Sequence, residues 1–545
     1  MPKINTYRLE AIVLRSMAAG QIKLPSIQGA ARLSGTVEHA LPEITDRSIW
    51  TNLDFAVSSA TSHPFTDVFK TSGTWIHNLK SGGWNNGGPL DLDENGYVRS
   101  LASTNKATLG IFNSVSTYPQ GDYILLWEGD GTFAVDLGSA TQVSNQPGRM
   151  VVRTIAGRTN VWISLMSVNP ANYPRNIRMI MPGMEATYQT QRFNPAYLDR
   201  IAPFAGFRFM DWGMTNKVQT SSWSARRTPA YYNQAAYPEQ LGGVCWEEMI
   251  ALMNATGKAG WVCIPHRADN NYVASMAALF RDTLDPEIKL YLEYSNECWN
   301  NLFPQAHYCA EQADLLGVPG SSSFTRQIRF YGQRAVECFN IWKDVYGPMA
   351  LANRVVRVFG AQAANTFTAT TPLSWQDGHQ NVDAVAIAPY IDPSFYARTT
   401  NAAAIAAMTP DQILNDFVNE IRTVVRTRIR NHKVALGPYP GKKLLTYELN
   451  THLVSEKMPA DLKETILDLY RQVHRSPRMR NIYREFLELI GIETGSYPNQ
   501  FTFAFPMGHP GLWGALEYQE QPNAEAPRFQ ALLDYRDNAP WTPEP

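Results

Sequence analysis

The sequence has almost no net charge: a formal −1 over 545 residues gives no electrostatic footprint for nucleic acid or an anionic membrane surface. Long apolar runs are missing too. No segment approaches the roughly 20 apolar residues of a membrane span, and the opening MPKINTYRLEAIVLRSMAAGQIKLP lacks an uninterrupted apolar core of signal-peptide length. The expectation is a chain without membrane insertion and without a visible Sec signal. Cysteine is scarce: Cys245, Cys263, Cys298, Cys309 and Cys338 are odd in number and none has CxxC or zinc-site spacing, which argues against a disulfide framework. No GxSxG elbow, GxGxxG or P-loop follows a strand, so esterase, dinucleotide and nucleotide chemistry lose their usual support. His266 has no HxH or HxxxH companion, and no metal or other cofactor is expected.

What the chain does have is length and rings. It is long enough for two or three domains, and its 14 Trp and 25 Tyr supply flat apolar faces that suit sugars as well as cores. Residues 1–50 show no sustained period and read as an N-terminal arm, a candidate attachment segment to a virion or larger assembly. Residues 51–175 carry short β-rich runs divided by turn residues such as Asp130-Gly131 and Gly157-Arg158, the pattern of a small antiparallel β-sandwich.

From 176 to 545 apolar strands alternate with amphipathic helical stretches. Strand cores are read at 177–181, 207–212, 260–266, 290–296, 355–361, 384–390, 444–448 and 511–518, with helical segments at 325–347, 411–433 and 464–491. Eight strands alternating with helices predict a (β/α)8 TIM barrel. In such a barrel the carboxyl ends of the strands meet at one mouth. Glu297 closes the fourth strand and Glu448 the seventh, so the two carboxyls face each other across it. Glycosidic cleavage needs such a pair.

Strand four ending in Asn296-Glu297 and strand seven ending in Tyr447-Glu448 resemble the catalytic strand ends of retaining glycoside hydrolases of clan A. Arg208, His266, Tyr390 and Trp513 stand where that clan carries an Arg on strand two, a His on strand three, a Tyr on strand six and a Trp on strand eight. The resemblance covers roughly 177–520. It implies that Glu297 is the acid/base, that Asn296 bonds the sugar 2-hydroxyl, and that Glu448 is the nucleophile, held by Arg208 and Tyr390 above a Trp513 stacking floor. One departure is Ala388, where several clan members place a His, so the hydrogen bonding behind Tyr390 must differ. FRFMDW with its following TN, and EYSNECWN, are more specific than the clan pattern and suggest a bacterial or phage-borne subgroup.

Each residue also has a plainer reading. Arg208 could neutralise Glu293, which shares strand parity with Glu297. Asp211, Trp212 and Asn216 could line the cleft or serve as a cap and a core ring; Trp299 could be core, cleft wall or both. Cys298 should point away from Glu297 because neighbours on a strand alternate. The reading adopted is a retaining hydrolase of a polysaccharide or oligosaccharide. A silent glycan-binding barrel and a transglycosylase are the alternatives, and an extracellular or virion-associated setting is preferred to a cytoplasmic one.

Overall fold

The computed structural model describes residues 44–235 and 241–544. The expected attachment arm lies outside the described residues up to position 43. Its last residue, Trp50, is structural: Trp50–Asn52 is the first strand of an eight-stranded, all-parallel sheet. The order runs Trp50–Asn52, Gly206–Arg208, Ala259–Ile264, Leu290–Tyr294, Val355–Ala361, Ala384–Ile387 and Lys443–Thr446, with Asn499–Gln500 pairing back onto the first strand. A parallel bridge from Leu449 to Gln500 joins the continuation of strand seven to strand eight and brings the sheet round into a barrel.

Two strands differ from the sequence reading. Residues 177–181 were expected to open the barrel, but Arg175–Ile180 pairs antiparallel with Asp122–Glu128. Its alternating Ile177 and Met179 feed a separate core, and a period-two run reads alike in either setting. Residues 511–518 were expected to be strand eight; they form irregular chain whose Leu512, Ala515 and Leu516 pack into the main core. Strand eight is instead the polar pair Asn499–Gln500.

The barrel is therefore interrupted between strands one and two. The intervening residues include two four-stranded antiparallel sheets that share one core, with Leu109, Ile163 and Phe133 from one and Leu125, Val152 and Met179 from the other. Asp122–Glu128 and Gly131–Asp136 lie in different sheets, so the turn at Asp130-Gly131 carries the chain between sheets and does not close a hairpin.

Helices pack outside the barrel. Ser323–Tyr346 starts where the Ser322 side chain accepts the Thr325 N–H and stops at Gly347, burying Ile328, Tyr331, Ala335, Phe339 and Trp342 at helical spacing. The stretch expected as one helix over 464–491 is broken at Ser476-Pro477 into Lys463–Arg475 and Arg478–Thr494. Among the described residues no helix is long and apolar enough to cross a membrane.

Strand alternation divides the side chains. Val262, Leu292 and Ile387 face the helices, while Trp50, Trp261, Cys263, Val358 and Tyr447 fill the interior. Gly360 on strand five leaves room for an acid, since a Cβ there would stand 2.6 Å from Glu293 Oε1.

Candidate active site

Arg208 is the last residue of strand two and is fully buried. Burying a guanidinium demands partners for its charge and its donors. Nη1 donates to Glu448 Oε1 at 2.8 Å and to Asn52 Oδ1 at 3.2 Å; Nη2 donates to Glu293 Oε2 at 2.9 Å and to Asn296 Oδ1 at 2.8 Å. One cation thus spans two carboxylates. Arg208 has both of the expected partners: Glu293 inside the barrel and Glu448 at the mouth. Glu293 is fixed further by the Trp261 Nε1–H at 2.9 Å.

Glu448 lies two residues beyond strand seven. Its second oxygen accepts the Tyr390 hydroxyl at 2.9 Å, so both oxygens are held. Glu297 stands in a different setting. Past strand four the backbone turns left-handed at Ser295 (φ 57°) and again at Glu297 itself (φ 43°). Such conformations cost on the order of 1 kcal/mol each and persist only where the surroundings impose them. Glu297 Oε1 accepts the Tyr447 hydroxyl at 2.6 Å and Oε2 accepts the Asn300 amide at 2.8 Å.

Burial pushes both carboxyls up. Glu448 is raised to about 8, first by burial and then by the nearby Glu297, against the pull of Arg208 and the Tyr390 hydroxyl; Glu297 is raised mainly by burial, against its bonds from Tyr447 and Asn300. Two such groups titrate as a pair and hold a proton near neutral pH. The direct ion pair of Glu448 with Arg208 favours its carboxylate. Glu297, bonded by two neutral donors, is then the better seat for the proton.

The two glutamates line a cavity of about 670 Å3 together with Asn216, Asn296, Trp299, Tyr390 and Trp513. Asn296 is oriented at both ends: its oxygen accepts from Arg208, and its amide donates to Asn216 Oδ1 at 3.0 Å. One amide hydrogen of Asn296 is left over. Asn216 Oδ1 also accepts from Gln305 at 2.7 Å. Trp513 reaches the cavity from the irregular chain 13 residues past strand eight, with its ring 6.0 Å from that of Tyr390.

Two expected site residues are elsewhere. Trp212 is buried against Phe65 and Phe209 and is a core ring. His266 is buried outside the cavity lining, its ring edge-on to Tyr308 at 5.3 Å, and burial lowers its pKa to about 4. Its chain has passed the end of strand three at Ile264, which frees the ring from the mouth. Cys298 is buried with its sulfur toward the Tyr294 carbonyl, and burial raises its thiol.

Several lining residues carried no strong sequence signal. Tyr447 stands out in the sequence only as part of the strand-seven motif, yet an inward tyrosine before a strand-end acid can reach the opposite wall, as its hydroxyl does to Glu297. Phe501 directly follows strand eight and lines the cavity. His452 packs its ring against Tyr390 and Trp513 and pairs with Asp392 at 3.3 Å, on the same side of the mouth as Ala388. Among the described residues no cluster of three or more His, Cys, Asp or Glu could hold a metal ion.

No family model matches this chain, and no curated protein matches it. Among solved structures the chain is similar to a modular endo-β-1,4-mannanase from Cellulomonas fimi at 11% identity and TM-score 0.30, covering 60% of this chain and 62% of the mannanase. A β-galactosidase from the psychrophilic Marinomonas ef1 is 11% identical with a TM-score of 0.31, over 63% of this chain and 56% of that one. A β-D-glucuronidase from Dictyoglomus thermophilum is 8% identical with a TM-score of 0.32, over 88% of this chain and 98% of that one. The chain spans less than two thirds of the length of the mannanase and of the galactosidase.

Proposed function

We propose that this protein is a retaining glycoside hydrolase that cleaves a polysaccharide by double displacement, with Glu448 as nucleophile and Glu297 as acid/base. The observation that carries the reading is the unequal environment of two buried glutamates on one cavity. Glu448 is held by a cation and a hydroxyl, while Glu297 is held by two neutral donors. Unequal settings push paired carboxyls into different roles.

In the first step Glu448 attacks the anomeric carbon while Glu297 gives its proton to the departing oxygen, leaving a glycosyl ester on Glu448. Esterification removes the negative charge of Glu448, and with it the repulsion that helps keep Glu297 protonated. Glu297, left as the carboxylate by that transfer, takes a proton from water, and the water's oxygen displaces Glu448 from the anomeric carbon, releasing the sugar with its original configuration. Arg208 and Tyr390 hold the attacking carboxylate and receive it back. In this reading the remaining amide hydrogen of Asn296 bonds a sugar hydroxyl, and Trp299 and Trp513, which line the cavity, supply apolar walls. We read the two-sheet segment as an accessory β-sandwich domain.

The test follows the anomeric proton by NMR during hydrolysis of a glycan library, with Glu448→Gln and Glu297→Ala in parallel. Retention, abolished in Glu448→Gln, is expected. In Glu297→Ala, loss on natural glycans should be about 10²–10⁴-fold and smaller on glycosides whose leaving group needs no protonation. Inversion, or turnover surviving in Glu448→Gln, would sink the mechanism; glycan binding without turnover would favour a silent binding barrel.

A further inference from the structure

Asp211 is a buried acid that the mechanism above leaves unused. It lies three residues past strand two, is 4% exposed, and lines both the catalytic cavity and a second cavity of about 590 Å3. Phe55, Asn216, Leu302 and Phe303 border both spaces as well, so the two form one trough with Asp211 at the seam.

The acids of the catalytic pair all have donors; Asp211 does not. Among the described residues its carboxyl receives no hydrogen bond and joins no ion pair. Burial above all raises its pKa; its ionisable neighbours include Asp54, which raises it further, Glu448, and Arg208, which lowers it but is already engaged by Glu293 and Glu448. Asp54 is itself buried, its Oδ1 accepting the Phe55 N–H at 2.6 Å. Two buried acids therefore adjoin with no cation of their own.

The ionisable side chains along the trough point the same way. Among the described residues, Asp211, Glu297, Asp392 and Glu448 line the first cavity against one arginine, Arg428, whose guanidinium faces Glu420 at 4.0 Å. Lys217 stands on the wall of the second cavity.

From this we infer that Asp211, backed by Asp54, binds the ammonium of an unacetylated amino sugar, so that the substrate is a glycan carrying a free amine on the unit seated over the seam. An ammonium supplies the charge that lets Asp211 ionise while buried, and charge-assisted hydrogen bonds are roughly twice as strong as neutral ones. An acetamido group carries no charge, offers one N–H, and brings a carbonyl oxygen that a carboxylate repels. This inference rests on the hydrolase reading and narrows its substrate class.

The test is calorimetric binding to the Glu448→Gln protein, which keeps Asp211 and does not turn over. The probes are hexamers of glucosamine and of galactosamine, their fully N-acetylated forms, and the corresponding neutral hexose oligomers. At least one amine oligomer is expected to bind about tenfold or more tighter than both of its counterparts, a difference of about 1.4 kcal/mol. Adding Asp211→Asn should erase that preference, bringing the ratio of amine to neutral-oligomer affinity to about one. Equal or weaker binding of the amines, or a preference that survives Asp211→Asn, overturns the inference. The ligand comparison uses intact Asp211, so it decides the matter even where Asp211→Asn fails to fold. Cleavage of neutral or acetylated glycans that depends on Glu297 and Glu448, with no amine preference, overturns the inference and leaves the hydrolase reading standing. Absence of both binding and cleavage across all probes overturns both.

Discussion

Asp54→Asn should flatten the fall of stability with pH. Asp54 is buried two residues beyond strand one, and burial raises its carboxyl from 3.8 to about 8, partly offset by the Phe55 N–H. Between those values the folded chain holds a proton that the unfolded chain has released, so rising pH favours unfolding. The contribution is fully present below about 3.8 and is lost as the pH climbs through 8. One pH unit inside that window is worth about 1.4 kcal/mol, so the span from pH 5 to pH 7 amounts to about 2.7 kcal/mol. Asparagine keeps the oxygen that accepts from Phe55 and cannot ionise. Asp211, whose carboxyl Asp54 also raises, adds a change of the same sign. The assay is urea unfolding followed by tryptophan fluorescence at pH 5, 6 and 7, with m-values compared. The wild type should lose about 3 kcal/mol more than Asp54→Asn across that range. Curves that stay parallel, with a constant offset, would refute the reasoning.

The two hydroxyls on the paired glutamates should act on opposite limbs of the pH profile. Tyr390→Phe removes a bond that lowers Glu448, so the acid limb of kcat/KM should move to higher pH with a loss of about 10- to 100-fold, the worth of a hydrogen bond to a charged group. Tyr447→Phe removes a bond that lowers Glu297, so the alkaline limb should move to higher pH; a shift of the acid limb alone would contradict the roles assigned here. Gly360→Ala places a methyl 2.6 Å from Glu293 Oε1, and thermal unfolding should report about 1–3 kcal/mol of destabilisation as Glu293 is driven off Arg208.

The inner strands of the barrel were legible because a strand buried on both faces needs an unbroken apolar run, as in WVCI and AVAI. Strands one and eight, WTN and NQ, have none. Their position is set by barrel closure, through backbone bonds such as Trp50 N–H to the Pro498 carbonyl, and no local pattern records that. The site divides in the same way. Arg208, Asn296, Glu297 and Glu448 sit at or just past ends of strands whose register the apolar runs fix, so their convergence could be anticipated. Trp212 and His266 could not be placed, since both follow a strand end, where alternation stops and loop packing decides which way a ring turns. Asp211, one residue before Trp212, has the same loop geometry and faces the cavity.

The interruption of the barrel has a consequence for the order of assembly during synthesis. Trp50–Asn52 is made first among the eight strands, yet its neighbours are Gly206–Arg208, about 150 residues later, and Asn499–Gln500, near the far end of the chain. Loop-closure entropy grows only logarithmically, so the long detour is thermodynamically cheap. The delay is set by translation. At about 5–20 residues per second, roughly 20–90 s separate the emergence of strand one from that of strand eight. For that interval the founding strand lacks a partner on one flank, while the two-sheet segment, complete well before strand three, can fold without waiting for it. The first piece of the barrel to leave the ribosome is thus the last to be enclosed.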